Sequence, residues 1–299
     1  MLLTGWNDHA GGLLKYRVNI RFGEEPETLP DGWRLGRVSA VAKDSRGQVF
    51  VFQRGQKADP ILVFDGEGRF LRSWGRGMFG NEHGLRIDKE DNVWVTDHGD
   101  HQVMKFANDG RLLLTLGVKG QPGTDEHTFN RPTDVAFAAN GDFYVSDGYG
   151  NSRVVKFSAE GQYLLSWGAR GTGPGEFNTP HVVQTDSAGR VYVSDRENNR
   201  IQVFDGSGRF LKMWTHLGAT QGLCITPDDE LWVITHRNNI ENVTYDTLSG
   251  RIMKVDLETG CVQGSIESPG HWIHAAPSRE IFIGSLTGNV FRFYPGWLG

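Results

Sequence analysis

Short runs of alternating apolar and polar residues recur along the chain and are separated by polar turns. In each repeat a short apolar strand is followed by a turn, a second strand centred on an aromatic residue, and a third strand. Two copies that align well are EHGLRIDKEDNVWVTDHGDHQVMKF, which begins at Glu82, and PHVVQTDSAGRVYVSDRENNRIQVF, which begins at Pro180. Alternation with a period of two, with many β-branched and aromatic residues, predicts strands, and no stretch has the spacing of an amphipathic helix.

Six copies of this unit align across the chain. The aromatic residues at the centre of the second strand form one column, which consists of Phe50, Trp94, Tyr144, Tyr192, Trp232 and Phe282. A repeat of roughly 40–50 residues whose units are small antiparallel sheets is typical of propeller blades. The sequence therefore predicts an all-β, six-bladed β-propeller that forms a single domain over residues 1–299.

The last copy has a third strand but no fourth. Near the N-terminus, the segment LLKYRVNIRF at residues 13–22 has the pattern of a strand and belongs to no full copy. We expect this N-terminal strand to complete the last blade, because pairing there would join the two ends of the ring and remove an exposed sheet edge.

Composition and charge exclude several classes of protein. The net charge of −5 is mild and unclustered, so no basic face indicates a nucleic-acid partner. No apolar run is long enough to span a membrane, and the N-terminal sequence MLLTGWNDHAGG lacks the basic and apolar regions of a signal peptide, which predicts a cytoplasmic protein. With only Cys224 and Cys261, the chain is not expected to be held together by disulfides.

Histidine recurs in alternate units at one position of the repeat. The column at the start of the first strand, here called the histidine column, reads Ser39, His83, Thr133, His181, Gln221 and His271. In a closed ring of six blades, His83, His181 and His271 would lie about 120° apart around the axis. Three imidazoles with an open fourth position are a common way to hold a catalytic zinc, and another divalent transition metal is the alternative. The simpler alternative is that the three histidines are polar residues lining the channel without a metal.

A second set of candidate residues lies where the second strand of each unit ends. Arg54 and Arg196 stand four residues beyond the central aromatic, and Tyr149 stands one residue further along. This places them at the rim of the channel. There the two guanidinium groups could bind a carboxylate between them. The phenol of Tyr149, which would lie beside cations, could act as a general base. Solvated strand ends are the alternative. His98 and His236 share the position of the arginines and either line the same rim or are exposed to solvent. His274 lies three residues beyond His271, on the opposite face of the strand, and is expected to be structural.

Several motifs link the chain to a known family. They are FQRG at 52–55, HGLRID at 83–88, QPGTDEHTFNRPTDVAF at 121–137, DGYGNSR at 147–153, FNTPH at 177–181 and SDRENNRIQVF at 194–204. Over nearly its whole length the chain resembles the NHL family of propeller blades and, within it, the peptidyl-α-hydroxyglycine α-amidating lyases. The NNRIQVF type of strand is common to NHL blades, whereas the HGL, DGYGNSR, PH and DREN motifs in this order are more specific.

The resemblance implies a role for each matching position. It implies that His83, His181 and His271 hold zinc, that Arg54 and Arg196 contact substrate, and that Tyr149 is the catalytic tyrosine. It also implies a structural calcium bound by the backbone carbonyls at Val41 and Leu85 and by an aspartate directly after the third zinc histidine.

At that last position the chain has Trp272 in place of the aspartate. Calcium prefers oxygen ligands that include carboxylates. We therefore expect the calcium site to be empty, or filled by the indole and other side chains.

The function that combines these features is a zinc-dependent lyase. It would cleave the C–N bond of a carbinolamide, such as an N-acyl-α-hydroxyglycine, to an amide and glyoxylate. The partner would be a small-molecule or short peptide-like substrate that carries a carboxylate. Two alternatives stay open: another metal-dependent propeller enzyme, such as a lactone hydrolase or hydratase, and a non-enzymatic NHL binding scaffold. The chain has no GxSxG motif that would indicate a serine hydrolase.

Overall fold

The computed structural model describes residues 2–5, 14–20, 29–235, 250–268 and 270–295. The described strands form six antiparallel sheets that are the blades of a propeller. Two strands precede the first blade, β1 (Leu2–Gly5) and β2 (Leu14–Ile20). Blade 1 consists of β3 (Val38–Lys43), β4 (Val49–Gln53), β5 (Ile61–Phe64) and β6 (Phe70–Trp74). Blade 2 consists of β7 (Glu82–Ile87), β8 (Val93–Asp97), β9 (Gln102–Phe106) and β10 (Leu112–Leu116).

The remaining blades repeat this order. Blade 3 consists of β11 (Asp134–Phe137), β12 (Phe143–Asp147), β13 (Arg153–Phe157) and β14 (Tyr163–Trp167). Blade 4 consists of β15 (Pro180–Thr185), β16 (Val191–Asp195), β17 (Arg200–Phe204) and β18 (Phe210–Trp214), with a 3₁₀ turn, Arg196–Asn198, after β16. Blade 5 consists of β19 (Thr220–Ile225), β20 (Leu231–Thr235), β21 (Arg251–Val255) and β22 (Val262–Glu267). Blade 6 begins with β23 (Trp272–Ala275), β24 (Ile281–Gly284) and β25 (Val290–Pro295). The first strands of neighbouring blades contact one another in sequence, and β23 contacts β3, which closes the ring.

The N-terminal strand completes the last blade, as the sequence predicts. β2 pairs antiparallel with β25 from Tyr16 opposite Pro295 to Ile20 opposite Phe291. β1 then pairs with β2, so blade 6 has five strands in the order β1-β2-β25-β24-β23. The sequence did not predict β1. Because residues near both ends of the chain share one sheet, closure of the ring depends on this pairing.

The core lies between the blades and is built on the second strands. The predicted aromatic column is at most 2% exposed and consists of Phe50, Trp94, Tyr144, Tyr192, Trp232 and Phe282. Full burial of one such side chain contributes roughly 1.5–3 kcal/mol. The fourth strands are partly exposed, and the tryptophans at their ends pack on turns of the next blade. A Cβ added at Gly110, whose φ is +93°, would lie 2.9 Å from the Trp74 ring, so this turn requires glycine.

A β-bulge recurs at the start of four of the first strands. The register shifts between Val38 and Ala40 in β3, between Glu82 and Leu85 in β7, between Pro180 and Val182 in β15, and between Thr220 and Gly222 in β19. Each shift skips a member of the histidine column. Bulges re-aim side chains and are frequent beside functional sites. Four of the six members of the histidine column are therefore placed by a repeated backbone irregularity.

Two further expectations concern the cysteines and the membrane. Cys224 is buried, Cys261 is exposed, and both are free thiols. Among the residues that the structure describes, none of the helical segments has the length and apolar character required to cross a bilayer.

Candidate metal centre

The three histidines predicted to bind metal meet on the propeller axis. The nitrogen atoms that His83, His181 and His271 offer lie within 4.8 Å of one another. His83 and His181 are fully buried and His271 is 6% exposed. The Nε2 atoms of His83 and His181 are 3.2 Å apart. The alternation along the sequence thus becomes a compact cluster of imidazoles contributed by blades 2, 4 and 6.

The other nitrogen of each ring is held by the backbone of the next blade. The Nδ1–H groups donate to three carbonyl oxygens: His83 to Thr133 at 2.6 Å, His181 to Gln221 at 2.8 Å, and His271 to Ser39 at 2.8 Å. The acceptors are the three remaining members of the histidine column. Because a carbonyl oxygen only accepts, each Nδ1 must carry a proton, and in the neutral ring this leaves Nε2 with the lone pair. Sequence reasoning missed these partners because backbone carbonyls leave no signal in residue type.

This hydrogen bonding makes the cluster fit a metal ion. Three Nε2 lone pairs that converge in a buried site repel one another unless a cation lies between them. Fixing the ring tautomer through the outer nitrogen is also how metal-binding histidines are normally oriented. Burial, together with the positive charges of nearby groups, holds the pKa of His83 and of His181 well below the usual value, so both rings are neutral. A donor set of three imidazoles suits zinc.

Tyr149 lies directly above this cluster. Its hydroxyl oxygen is 3.0 Å from Nε2 of His83 and 3.0 Å from Nε2 of His181. The side chain is half-buried. It follows Gly148, where a Cβ would clash with the carbonyl oxygen of Pro180 in the next blade. Glycine therefore lets the turn after β12 come close enough to blade 4 for the phenol to reach the histidines.

The rest of the DGYGNSR motif holds the turn in place. Asp147 is fully buried and accepts hydrogen bonds from the side chain of Asn151 at 2.6 Å, from Arg153 Nε at 3.0 Å and from the backbone of Asn130 at 2.8 Å. A carboxylate with this many donors fixes the backbone on both sides of Tyr149. The asparagine and the arginine of the motif are thus structural.

The DREN motif of blade 4 is built in the same way. The buried Asp195 accepts from the backbone of Asn178 at 2.6 Å, from Asn198 Nδ2 at 2.8 Å and from Arg200 Nε at 2.6 Å. The recurrence of Asp, Asn and Arg in both motifs is the sequence signal from which these anchors could have been found.

Both predicted arginines lie at the mouth beside Tyr149. The guanidinium carbon of Arg196 is 5.3 Å from the centre of the phenol ring, and Nη1 lies 3.4 Å from the hydroxyl. Arg196 also pairs with Glu197 at 2.8 Å. Arg54 donates through Nε to the backbone oxygen of Glu82 at 2.6 Å. Burial lowers the pKa of Arg54, and the neighbouring Tyr149 and Glu82 oppose that effect. The structure therefore brings the metal ligands, the tyrosine and both arginines together.

The three other histidines considered above have separate outcomes. The ring of His98 packs edge-to-face on His83 at 5.7 Å and on Tyr149 at 5.3 Å, so it lines the mouth. Burial, with the charges of Arg54 and Arg131, lowers the pKa of His98 to about 4. His236 lies outside the described residues.

His274 lies apart from the three-histidine cluster, as expected from its spacing. It contacts Phe282, with ring centres 6.3 Å apart. Burial, with the charges of Arg86 and Lys43, lowers its pKa to about 3. The ring is therefore neutral and lies half-buried on β23 of blade 6.

The calcium site implied by the resemblance does not fit this chain. Position 272 holds a tryptophan, so it offers no carboxylate to the channel. The side chain of Trp272 is fully buried. Its indole lies under the guanidinium group of Arg86, whose central carbon is 4.4 Å from the ring centre. A cationic side chain thus occupies the region where a calcium ligand was implied, and the indole fills the position of the aspartate.

The fold and the cluster define the class of protein: a six-bladed β-propeller with three histidines converging at one end of its channel. The model of the NHL repeat matches residues 129–157 and 177–204. "NHL repeat-containing protein 3" from Homo sapiens is 37% identical over 239 residues, an alignment that covers 75% of this chain and 67% of that protein. The chain belongs to the NHL-repeat family.

Other relatives carry the names of amidating enzymes. "Peptidyl-glycine alpha-amidating monooxygenase A" from Xenopus laevis is 36% identical over 303 residues, which cover 88% of this chain and 32% of that protein. "Peptidyl-alpha-hydroxyglycine alpha-amidating lyase 1" from Drosophila melanogaster is 35% identical over 206 residues, which cover 57% of this chain and 38% of that protein. The alignments thus span about a third of the length of these two relatives, and the resemblance inferred from the motifs is confirmed.

Solved structures of other propellers show the same fold. A catalytically inactive virginiamycin B lyase from Staphylococcus aureus has a TM-score of 0.63 at 14% identity and covers 93% of this chain and 99% of that chain. A gluconolactonase from Xanthomonas campestris has a TM-score of 0.64 at 14% identity and covers 93% and 95%. At these identities the likeness concerns the fold alone.

Proposed function

We propose that this protein is a zinc-dependent lyase that cleaves the C–N bond of a carbinolamide of the N-acyl-α-hydroxyglycine type and releases an amide and glyoxylate. The observation that carries the proposal is the position of Tyr149, whose hydroxyl lies 3.0 Å from two of the three converging Nε2 atoms and beside Arg196. Relatives named as amidating lyases support the reaction class.

His83, His181 and His271 would hold the metal through Nε2, because their Nδ1 atoms are occupied by backbone carbonyls. A zinc ion bound there would supply Lewis-acid polarisation of a substrate oxygen. The protein's contribution is to keep the three rings fixed in direction, so that no reorganisation is needed when substrate enters.

Tyr149 would accept the proton of the substrate's hydroxyl group. As that O–H bond breaks, the oxygen forms a carbonyl with the α-carbon, the C–N bond breaks, and its electron pair leaves on nitrogen, which takes the same proton back from Tyr149 to give the amide. The base in this step would be the phenolate form of Tyr149, whose oxygen lies within hydrogen-bonding reach of the position where a substrate oxygen would meet the histidines. Its place is fixed by the buried Asp147 at the base of its turn.

Arg196 and Arg54 would bind the substrate's carboxylate, which becomes the carboxylate of glyoxylate. Both lie at the mouth near Tyr149, and guanidinium groups bind carboxylates through paired hydrogen bonds. The neutral ring of His98 would form part of the same wall. The hydroxyl group and the carboxylate of one small substrate would thus be bound by different residues.

The test is release of glyoxylate from a panel of N-acyl-α-hydroxyglycines by the zinc-loaded protein. Tyr149→Phe should lower kcat by about 10²–10⁴-fold, the usual contribution of a general base, and leave the metal content unchanged. Tyr163→Phe is the matched control, because Tyr163 lies on the outer strand of the same blade. Full activity in Tyr149→Phe would contradict the proposal.

Two further measurements separate the lyase from the alternatives. Arg196→Ala should raise KM and lower kcat for substrates with a free carboxylate, and should have little effect on the already poor methyl esters. In water labelled with heavy oxygen, a lyase forms the amide without incorporating label, whereas a hydrolase introduces label into its acyl product. Label in the acyl product would establish hydrolysis, and no turnover of any substrate by zinc-loaded protein would favour a binding scaffold.

A further inference from the structure

The interior of the channel, beyond the histidines, holds a buried cation that belongs to the chain itself. Arg86 lies on β7, three residues after His83, and is 6% exposed. Its guanidinium forms a two-point ion pair with the fully buried Asp134, with Nε–Oδ1 at 3.0 Å and Nη2–Oδ2 at 2.8 Å. An arginine–carboxylate pair of this geometry is among the strongest in proteins, and isolating either partner would be costly.

The same guanidinium reaches across the propeller. Nη2 also donates to the carbonyl oxygen of Leu223 at 3.0 Å, and the group lies over the ring of Trp272 at 4.4 Å. Asp134 in turn accepts from the backbone N–H of Val183 at 3.3 Å. These five residues come from blades 2, 3, 4, 5 and 6. The ion pair of Arg86 and Asp134 therefore connects five of the six blades at the axis.

Two of these contacts, with a buried carboxylate and with a backbone carbonyl oxygen, are of the kind that a metal ion at this place would make. Leu223 lies two residues after Gln221, as Val41 lies after Ser39 and Leu85 after His83. The resemblance assigns the carbonyls of Val41 and Leu85 to calcium, and Arg86 uses the equivalent carbonyl of blade 5. The position that should supply the carboxylate holds Trp272, whose ring instead attracts a cation through its π face. The indole in place of a carboxylate and the use of the blade 5 carbonyl by Arg86 both favour a guanidinium group over a divalent ion.

We propose that the guanidinium group of Arg86 is an internal cation that takes the place of a divalent metal ion at the propeller axis, so that this protein folds and loads its histidine cluster without calcium. The assignment of Arg86 does not depend on the reaction that the metal centre catalyses. It predicts that Trp272 and Arg86 act as a pair, because aspartate at 272 with no arginine at 86 would restore the need for an ion.

The first experiment uses the unaltered protein. After dialysis against calcium-free buffer with zinc held constant, we expect no calcium by elemental analysis. We also expect the same Tm with and without about 1 mM calcium, a concentration that saturates most extracellular calcium sites. Close to one equivalent of retained calcium, or a Tm that rises with calcium, would overturn the proposal.

The second experiment exchanges the cation. Arg86→Met leaves Asp134 buried and unpaired and should lower Tm by about 10 °C. Arg86→Met/Asp134→Asn removes both charges and should recover most of that loss. Arg86→Met/Trp272→Asp should gain a Tm that rises with added calcium. Arg153, which pairs with the buried Asp147 away from the axis, is the control.

The outcomes of the exchange are distinct. Arg153→Met/Trp272→Asp should be destabilised without any response to calcium, because Arg86 is still present. If Arg86→Met/Trp272→Asp shows no calcium dependence, or does not fold at any calcium concentration, a divalent ion cannot substitute for the guanidinium and the proposal fails. If Arg86→Met has the Tm of the unaltered protein, the cation at the axis is not needed and the proposal also fails.

Discussion

Removal of one imidazole from the histidine cluster should have a small effect on stability without zinc and a large effect with zinc. In the metal-free protein, His181→Ala deletes the hydrogen bond from Nδ1 to the Gln221 carbonyl, which contributes about 1 kcal/mol, and leaves a small cavity. It also removes one of three converging lone pairs, at a place where two Nε2 atoms lie 3.2 Å apart. Since these effects oppose each other, the metal-free variant should be only slightly less stable than the metal-free parent.

With zinc present the difference becomes large. A ligand that binds only the folded state at 1,000 times its Kd stabilises that state by about 4 kcal/mol. At roughly 2–4 °C per kcal/mol for a chain of this size class, zinc should raise the Tm of the parent by about 8–16 °C. Two imidazoles hold zinc far more weakly than three, so the same zinc concentration should barely change the Tm of the His181→Ala variant.

The assay combines calorimetry with metal analysis. Parent and variant are stripped of metal, melted with and without added zinc, and analysed for zinc after gel filtration. His127→Ala is the control, because His127 is exposed and does not belong to the histidine column. Equal zinc content in His181→Ala and the parent, or a parent Tm that does not change when zinc is added, would show that these histidines only line the channel.

Three other predictions follow from the fold and its buried groups. Deleting residues 1–22 removes β1 and β2 and exposes the edge of β25, so the product should aggregate or melt at lower temperature; a monomer with unchanged Tm would refute closure by this strand. The pKa of His274 is about 3 in the folded protein and near 6.5 when unfolded, so the contribution of this neutral ring to folding stability is complete above pH 6.5 and falls by up to roughly 4 kcal/mol as the pH drops towards 3. His274→Gln should therefore flatten the acid side of the Tm–pH curve, and an unchanged curve would contradict this. Gly148→Ala should destabilise by about 1–3 kcal/mol through its clash with Pro180, whereas Gly66→Ala, which meets nothing closer than 3.8 Å, should be nearly neutral in thermal melts.

The parts that the sequence predicted are those that repeat. Six aligned aromatic residues defined the second strands, and a column of alternating histidines defined the cluster, because a closed ring turns periodicity in sequence into symmetry in space. Residues 13–22 were assigned correctly because one blade lacked a strand. β1 was missed, since its four residues, Leu2–Gly5, are too short to carry a pattern.

The parts that the sequence did not predict depend on contacts between distant residues. Arg86 and Asp134 are 48 residues apart, and Arg86 and Leu223 are 137 apart, so nothing local marks them as partners. The departure at Trp272 was visible, but the guanidinium that lies on it was not. The carbonyl acceptors of the histidines were hidden for another reason: any residue type can provide a carbonyl, so Ser39 carries no signal of its role.

The symmetry of the ring and the asymmetry of the site have different origins. Blades 2, 4 and 6 provide the imidazoles and blades 1, 3 and 5 provide the carbonyls that orient them, so the three-histidine cluster has approximate threefold symmetry. Arg54, Tyr149 and Arg196 come from the ends of second strands in blades 1, 3 and 4, and they break that symmetry. A substrate bound as proposed would therefore meet different groups on each side of the cluster. The repeats build the three-histidine cluster, and single-blade substitutions at the rim make its three sides different.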